Sequence, residues 1–148
     1  VLKLTADSPE KFIIWCPSIN CYWVNRAGII VEAAPDTEGS AIFKIRDVRE
    51  TGLLVGQKVL NEILFGNLVK IVDGVSKLSI GIAAISFNEK LQELTMRGAR
   101  GETLIFGLRF APSEKAFAYL KELTSSGKLR SSEYVDLTVE NRIYLKPR

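Results

Sequence analysis

The closing stretch Ser131-Ser132-Glu133-Tyr134-Val135-Asp136-Leu137-Thr138-Val139-Glu140-Asn141-Arg142-Ile143-Tyr144-Leu145-Lys146-Pro147-Arg148 decides how this chain is read. Val135, Leu137, Val139, Ile143 and Leu145 carry odd numbers, while Asp136, Thr138, Glu140, Arg142, Tyr144 and Lys146 carry even ones. A period of two means extended chain with one buried face. Between Val135 and Leu145 only Asn141 breaks the odd, apolar set. A two-residue hairpin at Glu140-Asn141 would pair Val139 with Arg142 and Leu137 with Tyr144, mixing apolar and polar residues on one face. A three-residue loop, Glu140-Asn141-Arg142, instead pairs Val139 with Ile143 and Leu137 with Leu145. The pattern predicts that loop, with Arg142 in the left-handed position where glycine is usual, or one long strand kinked near Asn141. A strand at the end of a chain often lies at a sheet edge, where unpaired backbone groups recruit a partner strand unless residues such as Lys146 and Pro147 blunt it.

Upstream, two period changes place the helices. Val59, Leu60, Ile63, Leu64, Leu68, Ile71 and Val72 recur at spacings of three and four, which predicts an amphipathic helix over Gln57 to Val72 closed near Asp73 and Gly74. Ser113 is the N-cap of a second helix carrying Ala116, Phe117, Leu120 and Leu123 and ending at Gly127, with Lys121 and Lys128 near its C-terminal dipole. The rest reads as strands: Phe12 to Cys16, Cys21 to Val24, Ile29 to Glu32, Ala41 to Arg46, Leu78 to Phe87, Lys90 to Arg97 and Glu102 to Phe110. Turns fall at Pro17 to Asn20, Asn25 to Gly28 and Gly98 to Gly101, and Pro35 to Ser40 is a loop by composition. Strands in hairpin order with two helices against them give an α+β fold on a mainly antiparallel sheet.

Length and composition fit one domain over residues 1–148, since 47% of 148 residues are hydrophobic. Twenty basic residues against 17 acidic ones give a dispersed net charge of +3, which argues for no nucleic-acid partner. The chain has no histidine, which removes Ser-His-Asp and Cys-His nucleophiles and histidine-ligated zinc. No P-loop, dinucleotide fingerprint or metal signature occurs, and Glu89, Glu93, Glu114 and Glu122 read as exposed carboxylates near lysines rather than as an acid and base pair. The reading is therefore of a protein that is not an enzyme and has no catalytic residue, metal or cofactor.

Cys16 and Cys21 flank a predicted turn, and three states stay open: a disulfide, two reduced core thiols, or half of a zinc site. Gly98-Ala99-Arg100-Gly101 has the spacing of a phosphate-clamping GxxG loop, but its place between strands makes it a hairpin turn. Phe12, Trp15, Tyr22 and Trp23 read mainly as core, with a ligand pocket around Trp15 and Trp23 as the alternative. No run of about 18 apolar residues spans a membrane and no signal peptide opens the chain. Because it begins at Val1, an upstream segment, including an anchor, is expected.

The order of these pieces resembles the extracytoplasmic β domain of the bacterial division proteins FtsQ and DivIB. Leu2-Lys3-Leu4, Ile13-Ile14-Trp15 and Trp23-Val24-Asn25-Arg26-Ala27-Gly28-Ile29 are similar to the stretch where that family's POTRA module ends and its β domain begins with a V-D-x-x-G turn. Residues 1–15 would then be the closing strand of an upstream POTRA-like module. Tyr134 to Leu145 is similar to the family's closing V-D-L-R-x-x-N-G-x-x-V. Asn25 stands for the usual aspartate, Thr138 for arginine and Arg142 for glycine; Ala6-Asp7 stands near the usual Glu-Arg, and the Cys16/Cys21 pair is not a general family feature. The resemblance implies a non-catalytic divisome scaffold, anchored in the cell membrane by a single N-terminal helix absent from this chain, with this domain on the extracytoplasmic side. Its implied partners in cell division and septum formation are FtsB/FtsL-type proteins. An FtsB-type segment would add a strand beside Val139, Glu140, Asn141, Arg142, Ile143, Tyr144 and Leu145, with Asp136 in a structural part.

Overall fold

A computed structural model describes residues 10–36, 42–49 and 52–148. Leu2 to Leu4, Ala6, Asp7 and the first residue of the expected Ala41 to Arg46 strand lie outside the described residues, as do positions 37–40 of the expected loop. The elements run β1 Ile13–Pro17, β2 Cys21–Val24, β3 Ile30–Ala34, β4 Lys44–Asp47, α1 Glu62–Ser76, β5 Ile82–Asn88, β6 Glu93–Gly98, β7 Thr103–Gly107, α2 Glu114–Ser125, β8 Ser132–Leu137 and β9 Tyr144–Pro147. They form an α+β fold on one nine-stranded sheet of order β3-β2-β1-β4-β5-β6-β7-β8-β9.

Most neighbours are antiparallel, but β1–β4, β4–β5 and β7–β8 are parallel. Parallel neighbours need a long crossover, and each helix fills one: α1 joins β4 to β5 and α2 joins β7 to β8. A single register line crosses eight strands: Tyr22, Trp15, Ile45, Ile85, Met96, Leu104, Val135 and Leu145. Both helices cover that face, where α1 buries Leu64, Phe65, Leu68, Ile71, Val72 and Val75, and α2 buries Leu120 and Leu123 in the same core. Val135 and Leu145 of the odd-numbered set lie on this line, facing the helices.

Helix α1 begins later than its periodicity predicts. Ile30 and Gly28 take residues 56–59 into backbone bonds instead: Ile30 donates to the Gln57 carbonyl at 2.9 Å, and Val59 donates to the Gly28 carbonyl at 3.0 Å. Asn61 then caps the helix, accepting from the Leu64 amide. Nor does the helix stop at Gly74: that position is a close approach, because a Cβ there would clash with the Phe117 ring of α2. Ser113 caps α2 as expected, accepting from the Ala116 amide at 3.2 Å, and Gly127 follows it at φ 79°. The strands β5 and β6 start later than their apolar runs, since Leu78 to Gly81 connect α1 and residues 89–92 turn between β5 and β6, and β7 stops at Gly107, before the expected end at Phe110.

Candidate functional site

The C-terminal segment is a hairpin whose register differs from the expected one. Val135 faces Leu145 and Asp136 faces Tyr144, so the pairing of Leu137 with Leu145 is shifted by two residues. Apolar still meets apolar, because a two-residue shift leaves parity unchanged. The turn is built from Val139 to Arg142, closed by the Arg142 amide donating to the Val139 carbonyl at 3.1 Å. Asn141, not Arg142, takes the left-handed conformation, at φ 62°. Asparagine tolerates that region far better than arginine, which is why the longer connection wins.

Asp136 anchors the turn: one of its oxygens accepts from the Thr138 amide at 2.8 Å and the Thr138 hydroxyl at 2.6 Å. Of the residues expected to meet a partner, only Tyr144 and Leu145 belong to β9, and Val139 to Ile143 form the connection before it. Ile143 is half-buried against the core, whereas Tyr144 and Val139 are 48% and 46% exposed. A cavity of about 290 Å³ opens beside this turn, floored by Phe110, Leu137 and Ile143 and rimmed by Lys115 and Arg142. Among the described residues no strand pairs with β9 beyond β8, so β9 is an open edge. It is held from inside by Lys146, 3.6 Å from Glu133, and by Arg148, which donates to the carbonyls of Ser132 at 3.1 Å and Gly101 at 3.0 Å.

The remaining candidates scatter. Asn25 supplies the acceptor an aspartate would, bonding the amides of Ala27 and Ile29 at 3.0 Å each, with Gly28 at φ 82° completing the turn. Trp15 and Trp23 do not share a pocket: Trp15 is fully buried on the helix face with its ring 5.5 Å from Phe87, while Trp23 packs with Ile14, Cys16, Cys21 and Ala34 on the other face. Gly98 to Gly101 is a β6–β7 turn, with the Gly98 amide donating to the Glu102 carbonyl and Gly101 at φ 93°. The Cys16 and Cys21 sulfurs are joined in the structure across the β1–β2 turn, with Cα atoms 4.1 Å apart.

Two features escaped sequence reading. Asp47, fully buried in β4, accepts from the Trp15 indole at 3.0 Å and from the Arg49 backbone amide at 3.0 Å and side-chain Nε at 2.8 Å. Arg49 in turn reaches the Val59 carbonyl at 3.1 Å and lies over the Phe87 ring. Only its spacing of two from Arg49 hinted at this, and charges at that spacing read as surface. Glu93 is half-buried rather than exposed, and desolvation, then the charge of Asp136, pushes its carboxyl pKa up.

No family model matches the chain, and no curated protein sequence matches it.

Proposed function

We propose that this domain is a non-catalytic division scaffold of the FtsQ/DivIB kind, which binds FtsB/FtsL-type proteins on the extracytoplasmic side of the cell membrane by accepting a strand beside β9. The observation that carries the reading is the open β9 edge at the end of a continuous sheet. An added strand would satisfy its outward backbone groups, and the exposed side chains of Val139 and Tyr144 would give specificity. The resemblance in Tyr134 to Leu145 supplies the partner class, and the Asp136–Thr138 turn keeps the edge presented.

Proline at Ile143 is a poor probe, since that residue packs against the core before the strand begins. The better test titrates the domain with the FtsB-type ectodomain and follows amide exchange. Amides within Tyr144 to Lys146 are expected to gain protection, and Tyr144→Glu is expected to weaken binding at least about tenfold, or about 1.4 kcal/mol, while circular dichroism stays unchanged. Protection appearing elsewhere with β9 unaffected would overturn the edge-strand reading.

A further inference from the structure

The face of the sheet opposite the helices carries a donor set far from β9. Ile14 pairs with Trp23, which sets Cys16 of β1 opposite Cys21 of β2, and Cys21 pairs with Ala34 of β3. Asp36 lies two residues past Ala34, so alternation returns its side chain to the same face. Strands β1 and β2 and the chain leaving β3 thus deliver one donor each to one spot: the two sulfurs and an Asp36 oxygen all lie within 4.8 Å of one another. No other group of three such side chains occurs among the described residues. From β4 on the far side of β1, Lys44 and Arg46 reach over and hold the Asp36 carboxylate at 2.8 and 2.9 Å. Cys16 and Cys21 are buried while Asp36 is exposed, which leaves the carboxylate as the entry side.

We propose that this trio is a redox-gated metal site: once the Cys16–Cys21 bond is reduced, both thiolates and Asp36 bind one divalent cation of the zinc class, with water in the fourth position. A dithiol donor supplies two electrons and two protons, so the S–S bond breaks, two thiols form and the donor becomes a disulfide. Metal binding then releases both thiol protons. Thiolate and carboxylate are ordinary zinc ligands, and donors on one tetrahedral ion sit about 3.5 Å apart, so on reduction the two bonded sulfurs move apart while an Asp36 oxygen already stands within 4.8 Å of both. Lys44 and Arg46 then act on the carboxylate's other lone pairs, orienting the ligand rather than competing with it. Oxidised, the sulfurs are bonded to each other and the site is shut.

The test uses the 148-residue chain, either oxidised or reduced with a phosphine, titrated with Zn²⁺ against a chromophoric chelator, with Co²⁺ as a spectroscopic probe of thiolate ligation. The reduced chain is expected to bind one Zn²⁺ and the oxidised chain none, and Asp36→Ala is expected to weaken binding at least about tenfold. No stoichiometric binding by the reduced chain overturns the proposal, and so does an Asp36→Ala affinity equal to the parent's. Should reduction unfold the hairpin by circular dichroism, Zn²⁺ is expected to restore the fold, and failure to restore it also overturns the proposal.

Discussion

The two edges of the sheet are treated differently. At β3 the chain covers the start of its own edge: Gly56 donates to the Ile30 carbonyl at 2.8 Å, Ile30 donates to Gln57, and Ile29 bridges Lys58. Glu32 adds an ion pair with Lys11 at 3.2 Å, and the hairpin behind β3 is stapled through Cys16 and Cys21. At β9 nothing among the described residues takes the outward backbone groups, and the ties run inward, from Lys146 to Glu133 and from Arg148 to Ser132. An open edge is a hazard that proteins usually blunt. Here a loop takes up the first residue of one edge strand, while the other edge is braced only from behind.

The largest loss is expected at the seam that ties the β3 side to the rest. Asp47 joins β4 to Trp15 of β1 and holds Arg49, whose reach to Val59 fixes the loop that covers β3. Asp47→Ala leaves a half-buried guanidinium and a buried indole N–H without their acceptor, at an expected cost of about 3–5 kcal/mol in urea unfolding. Asp47→Asn keeps an acceptor for Trp15 and is expected to recover part of that loss. A cost for Asp47→Ala under about 1 kcal/mol would show that the covered edge does not depend on this node.

On the open side the sharper probe is Asn141. Its left-handed backbone closes the turn that aims β9, so Asn141→Ala is expected to cost about 1–2 kcal/mol and to weaken partner binding, whereas Asn141→Gly stays near the parent in thermal melts. Equal stability of the alanine and glycine variants would mean that this backbone geometry does not set the hairpin.

What could be read without coordinates follows the range of the interactions involved. Parity in Val135 to Leu145 survives because the pleat is local, and it fixes which face meets the helices although the register came out two residues away. Ser113 and Gly127 were legible for the same reason, since caps are set by neighbours three residues away. The start of α1 was not, because residues 56–59 are claimed by Gly28 and Ile30, distant in sequence. Gly74 was misread as a stop because its reason is the Phe117 ring of another helix. Of the candidate edge, its place at the end of the sheet was readable from its place in the chain; its turn was not, because the choice between Arg142 and Asn141 rests on a left-handed conformation that no alternation pattern reports. Asp36 joining Cys16 and Cys21 was equally hidden, since three strands must first pair.

The smallest expected effect concerns Glu93, which sits beside the open side's anchor. Gly107 separates Glu93 from the Asp136–Thr138 turn: it pairs with Glu93, and a Cβ on it would lie 3.2 Å from the Thr138 carbonyl oxygen. Burial first, and the Asp136 charge second, raise the Glu93 carboxyl pKa in the folded chain above its unfolded value. The folded state therefore holds more protons than the unfolded one between those two values, and stability falls as pH rises through that window. Below the ordinary glutamate range the penalty is absent; above the raised value it is constant. Glu93→Gln removes the charge and is expected to stabilise the domain at neutral pH by no more than about 0.5 kcal/mol. That gain should fade when urea unfolding is repeated below the ordinary glutamate range, where the parent carboxyl is protonated in both states. A gain of equal size at both pH values would assign the effect to packing and leave the open edge without an electrostatic cost.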